Sequence, residues 1–140
     1  MTLRPVPDRD SARWWAAVAE HRLLLQRCTA CGHLRLLPRA GCGRCGSFDW
    51  TDQEAAGTGT VVSWTVVHRA VDGRPTPYVV VLVRLDEADH LVLPGAWAGE
   101  PDGSGLAAGL PVRAEYVDLE VPDGTDRVAL VAWAACRASA

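Results

Sequence analysis

A chain of 140 residues, 49% hydrophobic and with net charge −3, has the length of one modest domain or of two very small ones sharing a core. Its longest aliphatic run, "VVVLV" at 79–83, is far too short to cross a bilayer, and the opening "MTLRPVPDRD" lacks the apolar stretch of a secretory signal. These features predict a reducing, cytoplasmic setting in which stable disulfides are rare, and the mildly acidic balance disfavours a general nucleic-acid binder.

The first predicted element is a short helix in "DSARWWAAVAEHR" (10–22). Asp10 or Ser11 can cap its start, and Trp14, Trp15 and Val18 put apolar bulk on one side. Adjacent tryptophans on so short a helix need a surface to cover, either their own domain or a partner. "LLLQRC" (23–28) follows as a strand.

Four of the five cysteines stand in "QRCTACGHLRLLPRAGCGRCGS" (26–47), as Cys28-x₂-Cys31, ten residues, then Cys42-x₂-Cys45. Two separated CxxC pairs with a short connector are the sequence form of a tetrahedral Cys₄ zinc site. Gly32 and Gly46 follow the two pairs, where a tight turn can aim backbone N–H groups at the thiolates. A redox CxxC stands once, between a strand and a helix start, and neither pair here precedes a helical pattern. Four thiolates leave no open coordination position, so the predicted zinc is structural, with rubredoxin-like iron the competing metal. His33 reads as a surface residue, and Cys136, in "LVAWAACRA", as a buried inert thiol.

After a transition, "SFDWTDQEAAG" (47–57), the rest reads as β. Five strands are expected in 57–68, 77–86, 90–99, 110–119 and 127–136, with Gly, Pro and Asp marking every gap. Val79 to Val83, apolar at every position, suggests a strand covered on both faces. The expected architecture is mainly β, with an N-terminal helix and Cys₄ zinc ribbon in 1–50 and a five-stranded OB-fold barrel in 51–140.

Charge divides the same way. Through Trp50 there are eight Arg against four acids, and from Thr51 onward six Arg against thirteen. The first third can greet an anion that the remainder repels, although the chain has no Lys, so Arg carries every cationic side chain regardless of role. No G-x-S-x-G, P-loop or H-E-x-x-H motif is present. "GTGT" (57–60) reads as a strand-entry turn, and the acids of "LDEAD" (85–89) as a solvated hairpin rather than an ion site. Single strands bind OB-folds through aromatics in a basic groove, and here the barrel is the acidic part.

The Trp-containing helix, "LLLQRCTACG", "PRAGCGRCGS", "GTGTVVSWTVVH", "PYVVVLVRLDE" and "GLPVRAEY", in this order, resemble the family that joins a rubredoxin-like zinc ribbon to an OB-fold, domain of unknown function 35 (DUF35). The resemblance covers nearly the whole chain. It implies Cys28, Cys31, Cys42 and Cys45 as zinc ligands, and a non-catalytic accessory or scaffold subunit associating in trans with a thiolase-fold enzyme that acts on acyl-CoA. Within that frame Arg35, Arg39 and Arg44, with Arg22 and Arg27, are candidate contacts to CoA phosphates, since guanidinium binds phosphate bidentately. The loop "RAVDGRPTP" is expected near a partner or ligand. A stand-alone acyl-CoA or acyl-carrier binding module is the alternative, and a single-stranded nucleic-acid binder the weaker third.

Overall fold

The computed structural model describes residues 4–136. The first three residues, which fall in the opening stretch that lacks a signal, and residues 137–140, the end of the expected barrel segment, lie outside the described residues. The helix α1 spans Ala12–Ala19. Ser11 occupies its N-cap, but its hydroxyl donates back to Asp8 Oδ1 at 2.7 Å, fixing the turn that enters the helix. Its end is a Schellman closure: His21 N–H donates to Val18 O and Arg22 N–H to Ala17 O, both at 2.9 Å. The left-handed position glycine usually fills is taken by His21 at φ 62°. The side chain offsets that cost, because its ring stacks on Tyr116 at 4.9 Å and Nε2 meets Asp118 at 2.8 Å.

Three antiparallel strands form the ribbon sheet in the order β2-β1-β3, with β1 Leu24–Cys28, β2 Leu34–Arg35 and β3 Trp50–Glu54. The stretch read as a transition therefore contains a strand. "WTDQE" has weak intrinsic β-propensity, and its conformation is set by full pairing with β1, from Leu24↔Glu54 to Cys28↔Trp50. The division expected after Trp50 falls inside this strand.

The barrel is closed and runs β4-β5-β6-β8-β7. Its strands are β4 Thr58–Val67, β5 Tyr78–Leu85, β6 Val92–Trp97, β7 Pro111–Leu119 and β8 Val128–Ala135. All neighbours are antiparallel except β6 and β8, and β4 closes the ring by pairing with both β5 and β7. Gly59 sits where those two pairings meet. A Cβ there would lie 2.2 Å from Arg84 O, so only glycine lets the strands approach this closely. The "GTGT" segment is thus the seam of the barrel as well as a turn.

The core is continuous from helix to barrel and joins Trp14, Val18, Leu25, Val81, Val112 and Trp133. Strand β5 departs from expectation. Val79, Val81 and Val83 are buried, but Leu82 faces outward and is 38% exposed. A closed barrel has one interior, so even an all-apolar strand is covered on one face unless something packs outside. The "LDEAD" acids also do more than meet solvent: Glu87 accepts the Ala56 N–H at 2.8 Å and Asp86 the Thr58 hydroxyl at 2.6 Å, pinning the linker between ribbon and barrel. His33 stacks on His90 at 4.8 Å across the same junction, and His90 Nε2 meets Leu34 O at 2.7 Å. His33 is accordingly half-buried rather than fully exposed. Burial first, then the charges of His90, Arg44 and Arg35, hold it below the ordinary histidine range.

Candidate metal centre and its surroundings

The two CxxC segments fold as matched knuckles. In the first, Gly32 N–H donates to Cys28 O (2.9 Å) and Cys28 N–H to His33 O (3.0 Å); in the second, Gly46 N–H donates to Cys42 O and Cys42 N–H to Ser47 O (both 2.8 Å). Gly32 at φ 77° and Gly46 at φ 79° supply the left-handed turn each knuckle requires. The turn leaves backbone N–H groups facing sulfur: those of Cys31 and Ala30 toward Cys28, and those of Cys45 and Arg44 toward Cys42.

The four sulfurs lie within 4.8 Å of one another, with Cys28 and Cys45 at 3.6 Å and Cys31 and Cys42 at 3.7 Å. A tetrahedron with metal–sulfur bonds of about 2.3 Å has sulfur–sulfur edges of roughly 3.8 Å, so the donor set fits a four-coordinate ion. The electrostatics agree. Backbone donors bring the Cys42 thiol down to about 6. The Ser47 N–H pulls Cys45 down as well, but Cys28, burial and the other two thiols outweigh it and leave Cys45 raised to about 11. Four neighbouring thiolates cannot all ionise alone, and a divalent cation removes that conflict.

Around this centre the arginines sort into two groups. Arg27 donates to Gln53 Oε1 at 2.8 Å and to Gly32 O at 3.0 Å, tying the first knuckle to β3, while Arg22 pairs with Glu54 and Glu20. Arg39 and Arg44 are exposed. Arg35 departs from expectation: its side chain is 6% exposed, donating from Nε to Gln26 Oε1 at 3.0 Å and from Nη2 to Arg39 O at 3.3 Å. Since Arg35 pairs with Gln26 in the β2-β1 register, its guanidinium is absorbed by the sheet rather than offered to a surface phosphate.

The chain matches two family descriptions in tandem: "ChsH2, rubredoxin-like zinc ribbon domain" over residues 15–51, and "ChsH2, C-terminal OB-fold domain" over 52–117. Together they cover the ribbon sheet, the knuckles and most of the barrel. The chain belongs to the DUF35 zinc-ribbon/OB-fold family.

Similar DUF35 chains have been solved. One, described as "Ltp2-ChsH2(DUF35) aldolase", is 38% identical with a TM-score of 0.79, and the match covers 94% of this chain and 98% of that one. A DUF35 protein of unknown function from Sulfolobus solfataricus, 14% identical with a TM-score of 0.62, shares the fold. A "probable enoyl-CoA hydratase alpha subunit" from Thermomonospora curvata is 49% identical over 84% of this chain. The "3-oxo-4,17-pregnadiene-20-carboxyl-CoA hydratase alpha subunit" of Mycobacterium tuberculosis is 37% identical over 94%, and a "DUF35 domain-containing scaffold protein" from Pyrococcus furiosus 34% over 54%. The chain spans 36%, 39% and 57% of the length of these three relatives. The metal of the DUF35 ribbon is a structural zinc, as the family description and the converging thiols agree.

One further position departs from expectation. Cys136 is exposed, because β8 ends at Ala135 and the thiol falls on the outer rim, where its N–H donates to Pro111 O at 3.0 Å. With zinc bound, iodoacetamide should therefore modify one thiol per chain, Cys136, and after chelation five, as read by mass spectrometry. The tryptophans are also not equivalent: Trp14 is in the core at 6% exposed, whereas Trp15 is half-buried beside a groove. That groove, of about 850 Å³, runs along α1 between Pro5, Pro7, Trp15, Ala16, Arg127 and Val128. No helix among the described residues is long and apolar enough to cross a membrane.

Proposed function

We propose that this chain is a non-catalytic, cytoplasmic accessory subunit that assembles with a thiolase-fold enzyme acting on acyl-CoA thioesters. The observation that carries the reading is the end-to-end likeness to the DUF35 chain described with Ltp2 as an aldolase, which leaves only a small part of either chain unmatched. The relatives named as hydratase alpha subunits and as a scaffold protein support a subunit role within a larger assembly. Cys28, Cys31, Cys42 and Cys45 hold the zinc, which fixes the ribbon and takes no part in turnover. Arg39 and Arg44, exposed on the connector and the second knuckle, are the residues of this chain suited to meeting CoA phosphates.

The groove along α1 is the partner's proposed seat, with Trp15 as the anchor, since tryptophan is enriched among interface hot spots.

Affinity purification of the tagged chain from its native lysate, followed by mass spectrometry, tests the reading. The expected result is a thiolase-fold protein in stoichiometric amount, together with no acyl-CoA turnover by the purified chain alone. Trp15→Ala should weaken partner retention by about 30-fold or more while shifting the urea midpoint little. A lone chain that turns over acyl-CoA overturns the accessory role. A chain that retains no partner yet binds acyl-CoA through Arg39 and Arg44 establishes the stand-alone module instead.

A further inference from the structure

The outward side of strand β5 has no part in the metal centre or in the groove along α1. Val79, Val81 and Val83 line the barrel interior, so Val80, Leu82 and Arg84 face out, with Leu82 38% exposed. Register extends this side across three strands. Leu82 lies opposite Ser63 on β4 and Pro94 on β6, and Val80 lies opposite Thr65 and Ala96. Directly opposite residues share a face, so these six side chains form two adjacent rows on the outside of the barrel. Neither row contains a charge, although the segment from Thr51 onward carries thirteen acids against six Arg. A strand with one face in water alternates polar with apolar residues, whereas near-continuous apolar runs belong to strands covered on both faces. Strand β5 has the second pattern, yet only its inner side is fully buried within this chain.

The relief of this face determines what fits it. Val80 and Leu82 stand as a ridge along β5, and the side chains flanking it are short: Ser63 and Thr65 on one side, Pro94 and Ala96 on the other. A ridge between two shallow troughs is self-complementary. A second copy turned by a two-fold axis lays its own ridge in the trough beside this one. The charge pattern selects the same occupant. Two copies of net charge −3 repel one another, and these rows let them meet without setting like charges side by side. Arg84 ends the ridge, its Nε donating to Asp89 O at 3.1 Å. With the two ridges antiparallel, the two Arg84 side chains stand at opposite ends of the contact.

We propose that two copies of this chain associate through the outer face of β4, β5 and β6, each seating Val80 and Leu82 in a trough of the other. From Tyr78 to Arg84 the ridge is about 20 Å long, and the three strands are about 10 Å across. That footprint is well below the roughly 800 Å² that each partner gives to a standard interface. The dimer is therefore weak, with a dissociation constant of about 10–300 μM. None of these residues lines the groove along α1, so the inference does not rest on the thiolase-fold partner.

Sedimentation velocity of the zinc-loaded full chain over about 5–500 μM tests the proposal. The expected result is a reversible monomer–dimer equilibrium that holds or tightens as salt rises, since screening removes repulsion between the copies and breaks no ion pair at the contact. Leu82→Glu puts a carboxylate in each ridge and should raise the dissociation constant about 30-fold or more. Its urea midpoint should stay close to that of the native chain, because the position is exposed. Val117→Glu, at an exposed valine on β7, and Trp15→Ala, in the groove, should leave the equilibrium as it was. If Leu82→Glu fails to fold, concentration-dependent shifts of the Val80 and Leu82 methyl resonances in the native chain decide. A chain that stays monomeric to the top of the range overturns the proposal, as does a dimer that Leu82→Glu leaves intact. A face whose methyl resonances shift only when the chain is purified with a bound protein assigns the rows to that protein and overturns the second copy.

Discussion

Replacing Cys42 with serine, or chelating the zinc, is expected to unfold residues 24–54 while the barrel strands keep their hydrogen-exchange protection. The reason lies in how little else supports the ribbon. Its β2 is two residues long, and among its buried apolar side chains are Leu25 and the ligand cysteines Cys28 and Cys42 themselves. Structural zinc contributes roughly 10–16 kcal/mol of apparent binding energy in small fingers, comparable to or larger than the whole stability of an ordinary domain, about 5–15 kcal/mol. Losing one of four thiolates also leaves the remaining three sulfurs crowded, without the Cys42 thiolate that the Cys45 and Arg44 N–H groups stabilise. Hydrogen exchange read at the Gln26 and Arg27 amides, alongside metal analysis showing about one zinc in the native chain and far less in the variant, checks the expectation. A chelated chain that retains slow exchange at those amides would falsify the view that metal holds the ribbon together.

The second large effect is expected at the other end of the core. Trp133→Ala should lower stability by about 3–5 kcal/mol, the range for deleting a fully buried tryptophan, measured as a shift of the urea midpoint in the zinc-loaded chain. Trp133 is 0% exposed and sits on β8, which pairs with β6 on one side and β7 on the other. Its indole fills the space left by Gly95, where a Cβ would stand 2.7 Å from Trp133 Cδ1. That pairing of the largest side chain with the smallest leaves no neighbour able to collapse into the vacated volume, so the cavity cost is expected near the top of the range. Cys42→Ser and Trp133→Ala should also differ in kind: the first releases the ribbon locally, the second loosens the barrel to which helix, ribbon and linker are attached. A Trp133→Ala midpoint shift equivalent to less than about 1 kcal/mol would show that the barrel repacks around the loss.

The local chemistry of this protein was legible in its sequence. The spacing of Cys28, Cys31, Cys42 and Cys45, each pair closed by a glycine, specified the knuckles because ligand geometry and left-handed turns are settled within six residues. The five barrel strands were legible for a similar reason, since β-rich runs and the Gly, Pro and Asp turns between them are properties of neighbouring residues. What only the tertiary structure decided concerns pairings between distant residues. Strand β3 exists because Trp50 to Glu54 meet β1, not because "WTDQE" favours extension. Of two adjacent tryptophans, Trp14 went to the core and Trp15 to the groove, a choice set by which face of α1 packs on the core. Arginine supplies the last case. Composition alone made Arg35, Arg39 and Arg44 alike, and register separated them: Arg35 lies opposite Gln26 inside the sheet, while Arg39 in the connector and Arg44 on the second knuckle face solvent. Long-range pairing depends on the partner strand as much as on the residue, and a residue's own neighbourhood in sequence carries no record of that partner.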